Sequence, residues 1–320
     1  MFLLVALAVG GWIWWAVYAP VPPPQSQFVL LHTGYSTRRI AAELKKAGVI
    51  RSELGFRLWH STHPKPSLKA GEYFFEREAS LPQVYDRIAR GDIYFHTVTI
   101  PEGYTMFDIA KAIEDAGLGS AEDFVHIAET RTQLIADLAP EAKSIEGYLF
   151  PNTYEFTRTQ TLEEMAAAMV HEFRQIGQQV GLNSDVHRTV TMASIVEKET
   201  AAPEERPRVA SVYYNRLALR MALDADPSVI YAELLAGTYK GSLHHADLAV
   251  NSPYNTYRFP GLPPGPIGNP GRSALAAAMH PESTKFLYFV ADGNGHHRFA
   301  RSLQEHNRNV TAYRHTLRLR

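Results

Sequence analysis

The 320-residue chain contains no cysteine. This absence excludes disulfide bonds, thiolate nucleophiles and cysteine-ligated metals, and it is compatible with either side of a bacterial membrane. An excess of positive charge is also missing, because 32 basic and 33 acidic residues give a net charge of -1. A nucleic-acid binder that relies on bulk charge is therefore not expected. The 45% hydrophobic content permits a sizeable core, and the length allows about two domains.

Familiar cofactor and nucleophile motifs are absent as well. The sequence has no phosphate-binding loop, dinucleotide fingerprint, nucleophile elbow or zinc-ligand spacing, so we predict no cofactor. The histidine pairs at 244–245 and 296–297 have no acidic partner at helical spacing and do not predict a metal site. Ser194 and His280 are conceivable as a nucleophile and its base, but no local motif supports that pair.

Charge is missing from the start of the chain, where Arg38 is the first charged residue. Residues 2–19 are apolar, with aromatic residues near the far end and prolines directly after them. This pattern is typical of a membrane-spanning helix with an interfacial aromatic belt. A cleaved signal peptide and a buried core helix are alternatives, although the basic n-region and cleavage site of a signal peptide are not evident. We predict a transmembrane helix over 1–20 and a spacer over 21–27. The remainder of the chain is expected to lie outside the cytoplasm.

A weak internal repeat follows the predicted spacer. Gly-Tyr-Ser at 34–36 and Gly-Tyr-Thr at 103–105 each follow a strand pattern and precede a short amphipathic helix, which ends near Gly48 or Gly117. A strand–helix–helix–strand order resembles LysM-type glycan-binding domains, and a spacer or scaffold is the alternative. We predict LysM-like α+β modules over residues 28–138.

Residues 192–200 predict a helix whose apolar face carries an acid. Met192, Ile195 and Val196 recur at i, i+3 and i+4, and Glu199 continues this stripe at i+7. Glu197 lies about 200° around the helix from Glu199, so the two carboxylates do not face each other. Glu197 is expected to be solvated.

Burial on an apolar face raises the pKa of a carboxyl group, which can then donate a proton near neutral pH. This argument makes Glu199 a candidate general acid. The alternative is an ordinary glutamate at the edge of the stripe, either partly exposed or paired with Arg206 or Arg208.

Residues 252–271 predict a long, rigid loop. Closely spaced prolines and glycines exclude a helix or a central strand, while tyrosine, asparagine, arginine and phenylalanine are interleaved among them. Such a loop exposes aromatic faces and amides, which suit a sugar-binding cleft, although a buried packing loop is the alternative. Together with the acid-bearing helix and the predicted extracytoplasmic location, the loop favours glycoside chemistry.

Six blocks resemble, in order, the signature blocks of the endolytic murein transglycosylases, the MltG or YceG-like family. They are EGYLFPNTY at 146–154, ASIVEKET at 193–200, DPSVIY at 226–231, SPYNTY at 252–257, GLPPGPI at 261–267 and FVADG at 289–293. The resemblance extends over about residues 30–320. It implies a single-pass α+β protein of the inner membrane, with an N-terminal membrane anchor and a LysM-like module. The mixed α/β catalytic domain over 139–320 is then expected in the periplasm. The implied partners are peptidoglycan glycan strands and cell-wall synthases.

The resemblance also implies a lytic reaction at the β-1,4 bond between MurNAc and GlcNAc within nascent strands. Such cleavage leaves 1,6-anhydroMurNAc ends and limits glycan length. By likeness to the Glu-Ser of other lytic transglycosylases, Glu199 followed by Thr200 supplies the acid, and Glu197 is a supporting neighbour. The family more commonly has aspartate where this chain has Asn152, so a carboxylate role at that position is not expected. The predicted substrate-binding residues are Tyr254, Asn255, Tyr257, Glu146 and Asp226.

Two other function classes fit the same residues. In a non-catalytic glycan-binding scaffold for synthases, Glu199 would be structural. In a hydrolytic muramidase, water would replace the internal hydroxyl as nucleophile. The end groups of the products distinguish these classes.

Overall fold

The computed structural model describes residues 2–23, 26–63 and 67–318. In these ranges the chain forms twelve α-helices and six β-strands, with the strands arranged in three two-stranded sheets. The predicted α+β class is confirmed. The chain divides into two compact units. The first comprises Met1–Thr97 and Glu155–Thr161, and the second comprises Val98–Tyr154 and Leu162–Arg320.

The first unit contains the predicted strand–helix–helix–strand order. Its elements are α1 (Phe2–Ile13), β1 (Gln27–Leu31), α2 (Thr37–Lys46), α3 (Glu53–Thr62), β2 (Gly71–Phe75) and α4 (Leu81–Arg90). Strand β1 pairs antiparallel with β2, with Val29 opposite Tyr73. Ser36 accepts a hydrogen bond from the Arg39 amide and so caps α2, the short helix predicted after residues 34–36. The core of this unit includes the fully buried rings of Phe56 and Tyr85.

The structure does not support the predicted transmembrane helix over 1–20. Helix α1 has 12 residues, and a five-residue π-helical turn (Trp14–Tyr18) follows it. Within the described ranges, no helix combines the length and the apolar character needed to cross a membrane.

The predicted spacer over 21–27 is partly held in place. Val21 pairs with Ala79 through two backbone hydrogen bonds. The Arg51 guanidinium donates to the carbonyl oxygens of Trp15, Ala19 and Pro20. These contacts hold the end of the N-terminal segment against other residues of the first unit. Residues 24–25 lie outside the described ranges.

The second unit is mainly helical. Helix α8 lies at its centre, because every residue from Val190 to Val196 is buried. All faces of this helix are therefore buried up to its last turn, and not only the apolar face predicted from the sequence. The elements that complete the fold are β3 (His96–Thr99), α5 (Met106–Asp115), α6 (Ala121–Thr130), β4 (Thr153–Phe156), α7 (Leu162–Val180), α8 (Val186–Glu199), α9 (Arg206–Ala218), α10 (Asp226–Ala236), α11 (Arg272–Met279), β5 (Tyr288–Ala291), β6 (His297–Ala300) and α12 (Leu303–Arg318).

The boundary between the units differs from the one predicted near residue 138. The second copy of the repeat, at 103–118, belongs to the second unit. Backbone hydrogen bonds explain this placement, because the Gly103 amide donates to the Asn269 carbonyl and the Asn269 amide donates to the Tyr104 carbonyl. The start of this copy is thus joined to the loop over 252–271.

Candidate active site

Glu199 is the last residue of α8 and opens onto a cleft of the second unit. The cleft has a volume of about 480 Å³. Helix α8 ends here because Thr200 takes an extended backbone, so the side chain of Glu199 projects beyond the packed part of the helix. The residues that line the cleft are Glu199, Tyr213, Arg216, Leu223, Asp224, Asp226, Tyr257, Tyr288, Phe289, Val290, Leu303 and His306.

The environment of Glu199 raises the pKa of its carboxyl group to about 7. Burial is the main cause, because it disfavours the ionised form, and the nearby charge of Asp226 acts in the same direction. The hydrogen bond from Tyr213 and the positive charge of Arg216 lower the pKa and partly offset the rise. Both protonation states are therefore accessible near neutral pH, as an acid/base group requires.

Tyr213 orients the carboxyl group. Its hydroxyl donates to Oε1 of Glu199 at 2.7 Å. No other hydrogen bond to this carboxyl occurs within the described ranges, so Oε2 is free to exchange a proton with a substrate. Tyr213 itself is buried, and burial and Glu199 together raise its own pKa well above the usual value. The hydroxyl therefore remains a donor.

Arg216 supports the floor of the cleft. Its guanidinium donates to the carbonyl oxygens of Leu287, Ala222 and Leu223, and to the carboxylate of Asp224 at 2.9 Å. These bonds join α9 to the segment before α10 and to the residue preceding β5.

Sequence reasoning missed both Tyr213 and Arg216. The pattern that identified Glu199, a charged residue on an apolar helical stripe, also occurs at Arg216. Buried positions Val209 and Val212 begin an apolar stripe on α9 that continues to Tyr213 and then to Arg216. A charged residue on such a face needs partners, and here it has four acceptors.

Two of the predicted substrate-binding residues lie in the cleft with Glu199. Asp226 is the first residue of α10, and the Tyr257 hydroxyl donates to its Oδ1 at 2.6 Å. This bond holds the Asp226 carboxylate in place, and its negative charge raises the pKa of Glu199. Tyr257 presents an aromatic ring to the same cleft.

Tyr254 and Asn255 are not among the residues that line this cleft. Asn255 is fully buried, and its amide nitrogen donates to the carbonyl oxygens of Leu248 and Val250. Tyr254 packs its ring against Tyr231, with centroids 5.1 Å apart. These contacts agree with the alternative of a packing loop, because the Asn255 amide attaches the loop to residues 248–250, which precede it.

Glu146 also lies outside the cleft lining, as a buried structural acid. Its carboxylate accepts hydrogen bonds from the Met106 amide at 2.8 Å and from Nδ2 of Asn269 at 2.6 Å. Burial raises its pKa to about 7. These contacts connect the first signature block with the start of α5 and with the loop over 252–271.

Glu197 is buried rather than solvated. Its side chain is only 4% exposed and forms an ion pair with Arg206, and its Oε2 accepts a hydrogen bond from the Gly271 amide at 2.9 Å. Arg206 also contacts Glu102 at 3.3 Å. The expected separation of the two acids around the helix holds, since their partners differ. Arg206 pairs with Glu197, whereas the alternative interpretation had assigned Arg206 or Arg208 to Glu199.

Ser194 has a structural role in this fold. Its hydroxyl is fully buried, donates to the Thr191 carbonyl at 2.8 Å and accepts from the Ile267 amide at 3.0 Å. The bond from Ile267 attaches the proline-rich loop to α8, and the hydroxyl proton is used within the helix. Among the described residues there is also no group of three histidine, aspartate or glutamate side chains arranged to hold a metal ion.

A carboxylic acid whose pKa is raised to about 7 at the edge of an open cleft is typical of enzyme sites that use general acid/base catalysis. A sequence model of the YceG-like family matches residues 29–312. The chain belongs to this family, and the resemblance of the signature blocks is confirmed.

Relatives that match over most of this chain carry a specific name. A protein of Bacillus subtilis (strain 168) named endolytic murein transglycosylase is 35% identical over 301 residues, which cover 88% of this chain and 83% of that protein. Two proteins of the same name from Streptococcus pneumoniae are 29% identical over 352 aligned positions, covering 98% of this chain and 64% of theirs. The chain thus spans slightly less than two thirds of the pneumococcal proteins.

A solved structure is similar over most of the chain. The crystal structure of a yceG-like protein from Listeria monocytogenes is 33% identical and superposes with a TM-score of 0.58. The similarity covers 89% of this chain and 99% of that one. The fold of this chain is therefore similar to that of the Listeria protein.

Proposed function

We propose that the protein is an endolytic murein transglycosylase. In this function it cleaves the β-1,4 bond between MurNAc and GlcNAc within peptidoglycan strands, leaves 1,6-anhydroMurNAc ends and limits glycan length. The name and the 35% identity of the Bacillus relative support the assignment. The observation that carries it is the Glu199 carboxyl group, which opens onto the cleft with a pKa raised to about 7.

The proposed reaction uses one carboxyl group twice. Glu199 donates its proton to the glycosidic oxygen as the bond to C1 of MurNAc breaks, and GlcNAc leaves with a free 4-hydroxyl. The Glu199 carboxylate then takes the proton of the MurNAc C6 hydroxyl, whose oxygen bonds to C1 and closes the anhydro ring. The acid is restored and no water is consumed. This differs from the two-carboxylate arrangement usual among glycosidases.

The surroundings of Glu199 suit both proton transfers. Tyr213 holds Oε1 at 2.7 Å and leaves Oε2 to face the substrate. Its hydroxyl stabilises the carboxylate after the first transfer, because a hydrogen bond to a charged oxygen is stronger than one to a neutral oxygen. The rings of Tyr257, Tyr288 and Phe289 line the same cleft and offer planar surfaces for pyranose rings.

The pKa of Glu199 predicts how kcat/KM depends on pH. Two substitutions should shift the alkaline limb of this profile in opposite directions. Cleavage requires the protonated acid, so kcat/KM should fall above about pH 7. Tyr213→Phe removes a bond that lowers this pKa and should move the limb upward by about 1–2 pH units. Asp226→Asn removes a charge that raises the pKa and should move the limb downward.

The two variants serve as controls for each other. Assays of soluble glycan release between pH 5 and pH 9, a range set by the expected limb, would measure both. Shifts of the same sign in the two variants, or an unchanged limb in both, would contradict the role assigned to Glu199.

A hydrolytic muramidase is the main competing function, because Asp226 places a second carboxylate in the cleft. A non-catalytic scaffold would bind strands without releasing products. The position of the cut tests the endolytic proposal. Long purified glycan strands treated briefly should show a rapid fall in mean length, whereas accumulation of disaccharides from unchanged long strands would show cleavage from the ends.

We also propose that residues 2–18 attach the protein to the inner membrane, with both units on the periplasmic side. Large apolar side chains of this segment are exposed, including Leu3 at 74%, Trp14 at 62% and Trp15 at 50%. Apolar surface of this extent favours contact with lipid. Loss of the protein from the membrane fraction after deletion of 2–18 is expected, and unchanged fractionation would contradict the attachment.

For the first unit we propose a LysM-like role in holding glycan, with cell-wall synthases as partners of the whole protein. The strand–helix–helix–strand order of β1, α2, α3 and β2 supports the likeness. Retention of the intact protein on insoluble peptidoglycan at a pH where Glu199 is ionised would be the test. Equal retention of a protein with the first unit altered would contradict this role.

A further inference from the structure

A buried histidine–carboxylate pair lies beside the active site and has no part in the reaction described above. Glu205 is 7% exposed and ends the short 3-10 turn Pro203–Glu205 that follows α8. Its Oε1 accepts a hydrogen bond from the His297 amide at 3.0 Å, and its Oε2 accepts one from Nδ1 of His297 at 2.7 Å. Because a carboxylate can only accept, Nδ1 of His297 carries the proton.

The pair fixes one strand of the β5–β6 hairpin. His297 begins β6 and lies opposite Ala291 of β5. With both oxygens of Glu205 engaged, the position and the ring orientation of His297 are determined together. The turn that follows the acid-bearing helix is therefore tied to the hairpin that forms one wall of the cleft.

Aromatic contacts connect this pair to the catalytic acid. The ring of His297 meets Phe289 edge to face, at 5.3 Å between centroids and 87° between planes. Phe289 meets Tyr213 in the same way, at 5.9 Å and 85°. The Tyr213 hydroxyl then donates to Glu199 at 2.7 Å. Edge-to-face contacts restrict ring position, since each edge must meet the face of its neighbour.

We propose that Glu205 and His297 are positioning residues for Glu199, which act through Phe289 and Tyr213. The inference rests on the proposed function of Glu199 and deepens it. When the pair is broken, Phe289 loses its lateral support and the Tyr213 ring can move away from Oε1. The carboxyl group is then misaimed at the glycosidic oxygen. A displacement near 1 Å at a reacting group can lower the rate by about 10²-fold.

Other charged groups near the pair differ in their contacts. His296 approaches Glu204 and Glu205 at 3.6 Å each, with 52% of its side chain exposed. Its ring makes none of the aromatic contacts that connect His297 to Tyr213. Arg208 covers the ring of Phe299, and Arg216 covers that of Tyr288. His296 is therefore the matched control, as a neighbouring histidine that contacts the same acid without reaching the aromatic series.

The test compares His297→Gln with His296→Gln in the full chain, with purified peptidoglycan as substrate. His297→Gln should lower kcat by about 10- to 100-fold with KM changed less than about 2-fold. It should also move the alkaline limb of kcat/KM upward, in the direction expected for Tyr213→Phe. The double variant His297→Gln with Tyr213→Phe should lose less than the product of the single losses, because both act on one bond. His296→Gln should keep wild-type kinetics.

A purely structural role predicts another pattern. An unchanged pH profile for His297→Gln, or losses that multiply with those of Tyr213→Phe, would overturn the proposal. If His297→Gln does not fold, Glu205→Gln keeps the volume and one acceptor oxygen and should show a smaller shift of the same sign. Unchanged kinetics in that variant would likewise overturn it.

A second readout separates this proposal from the proposed function. The pH dependence of unfolding, compared with and without Glu199→Gln in each background, reports the titration of Glu199 without any substrate. A Glu199 titration that shifts upward in His297→Gln supports the positioning role even if the wild-type protein releases no glycan. The absence of such a shift contradicts the positioning role even if glycan is released.

Discussion

Glu199→Gln is expected to lower kcat for the release of anhydro-ended glycans from peptidoglycan by about 10³-fold or more, within the range typical for removal of a general acid. Glutamine has nearly the same size and can still accept the Tyr213 hydrogen bond, but it has no proton to donate to the glycosidic oxygen. Chromatography and mass spectrometry of the released glycans would measure the loss. Because the amide preserves the cleft, binding of undigested strands should persist.

Glu197→Gln is the matched control, two residues away on the same helix. Its carboxylate is paired with Arg206 and the Gly271 amide and does not line the cleft. We expect reduced stability and a kcat within about 10-fold of wild type, since a supporting group acts on rate only through position. Abolished release in Glu197→Gln, together with activity in Glu199→Gln, would show that the helix face was assigned wrongly.

Glu199→Gln should also change the free energy of unfolding in a pH-dependent way. The folded protein raises the Glu199 pKa from 4.5 to about 7, so the folded state holds a proton that the unfolded chain loses. The stability contribution is complete below the unfolded value and disappears as pH rises through about 7. At pH 8 and above, Glu199→Gln should therefore unfold less readily than wild type, by about 1–3 kcal/mol.

Arg206→Met is expected to destabilise the second unit by about 3–5 kcal/mol, the typical cost of breaking a buried ion pair. Arg206 is 5% exposed and pairs with Glu197, whose side chain is 4% exposed. Removing the guanidinium leaves a buried carboxylate without its cation, while the methionine fills the space. Urea unfolding at neutral pH would measure the difference. Arg206→Met combined with Glu197→Gln should recover part of the loss, since no unpaired charge remains.

Arg208→Met provides the comparison on the same helix. Arg208 and its partner Glu282 are 41% and 42% exposed, so the expected change is within about 1 kcal/mol. Equal destabilisation by the two substitutions would mean that burial does not decide the strength of these pairs. The ion pair of Glu197 would then have to be assigned a smaller structural role.

The local sequence contains the signal for Glu199 because a carboxyl group on an apolar helical face is visible from spacing alone. The short helices after 34–36 and 103–105 are likewise local features, and the structure has them close to the predicted positions. The family assignment needed more, namely several signature blocks in order. No single block could distinguish a functional acid from an ordinary one.

The hydrogen-bond and ion-pair partners of the predicted residues could not be predicted from the sequence. Asn255 was expected to bind sugar because amides do so, but its buried amide donates to carbonyl groups of the segment that precedes the loop. Glu197 was expected to be solvated because the sequence of α8 does not show its partner. That partner, Arg206, belongs to a different helix. Such pairings depend on tertiary packing, which residue spacing along one helix does not contain.

The end groups of the released glycans test the central claim most directly. Wild-type protein and Glu199→Gln would be incubated with purified peptidoglycan, and the masses of the products determined. The proposed lytic role of Glu199 predicts MurNAc ends that lack one water for wild-type protein and almost none for the variant. Hydrated ends from the wild-type protein, or equal amounts of anhydro ends from both proteins, would contradict it.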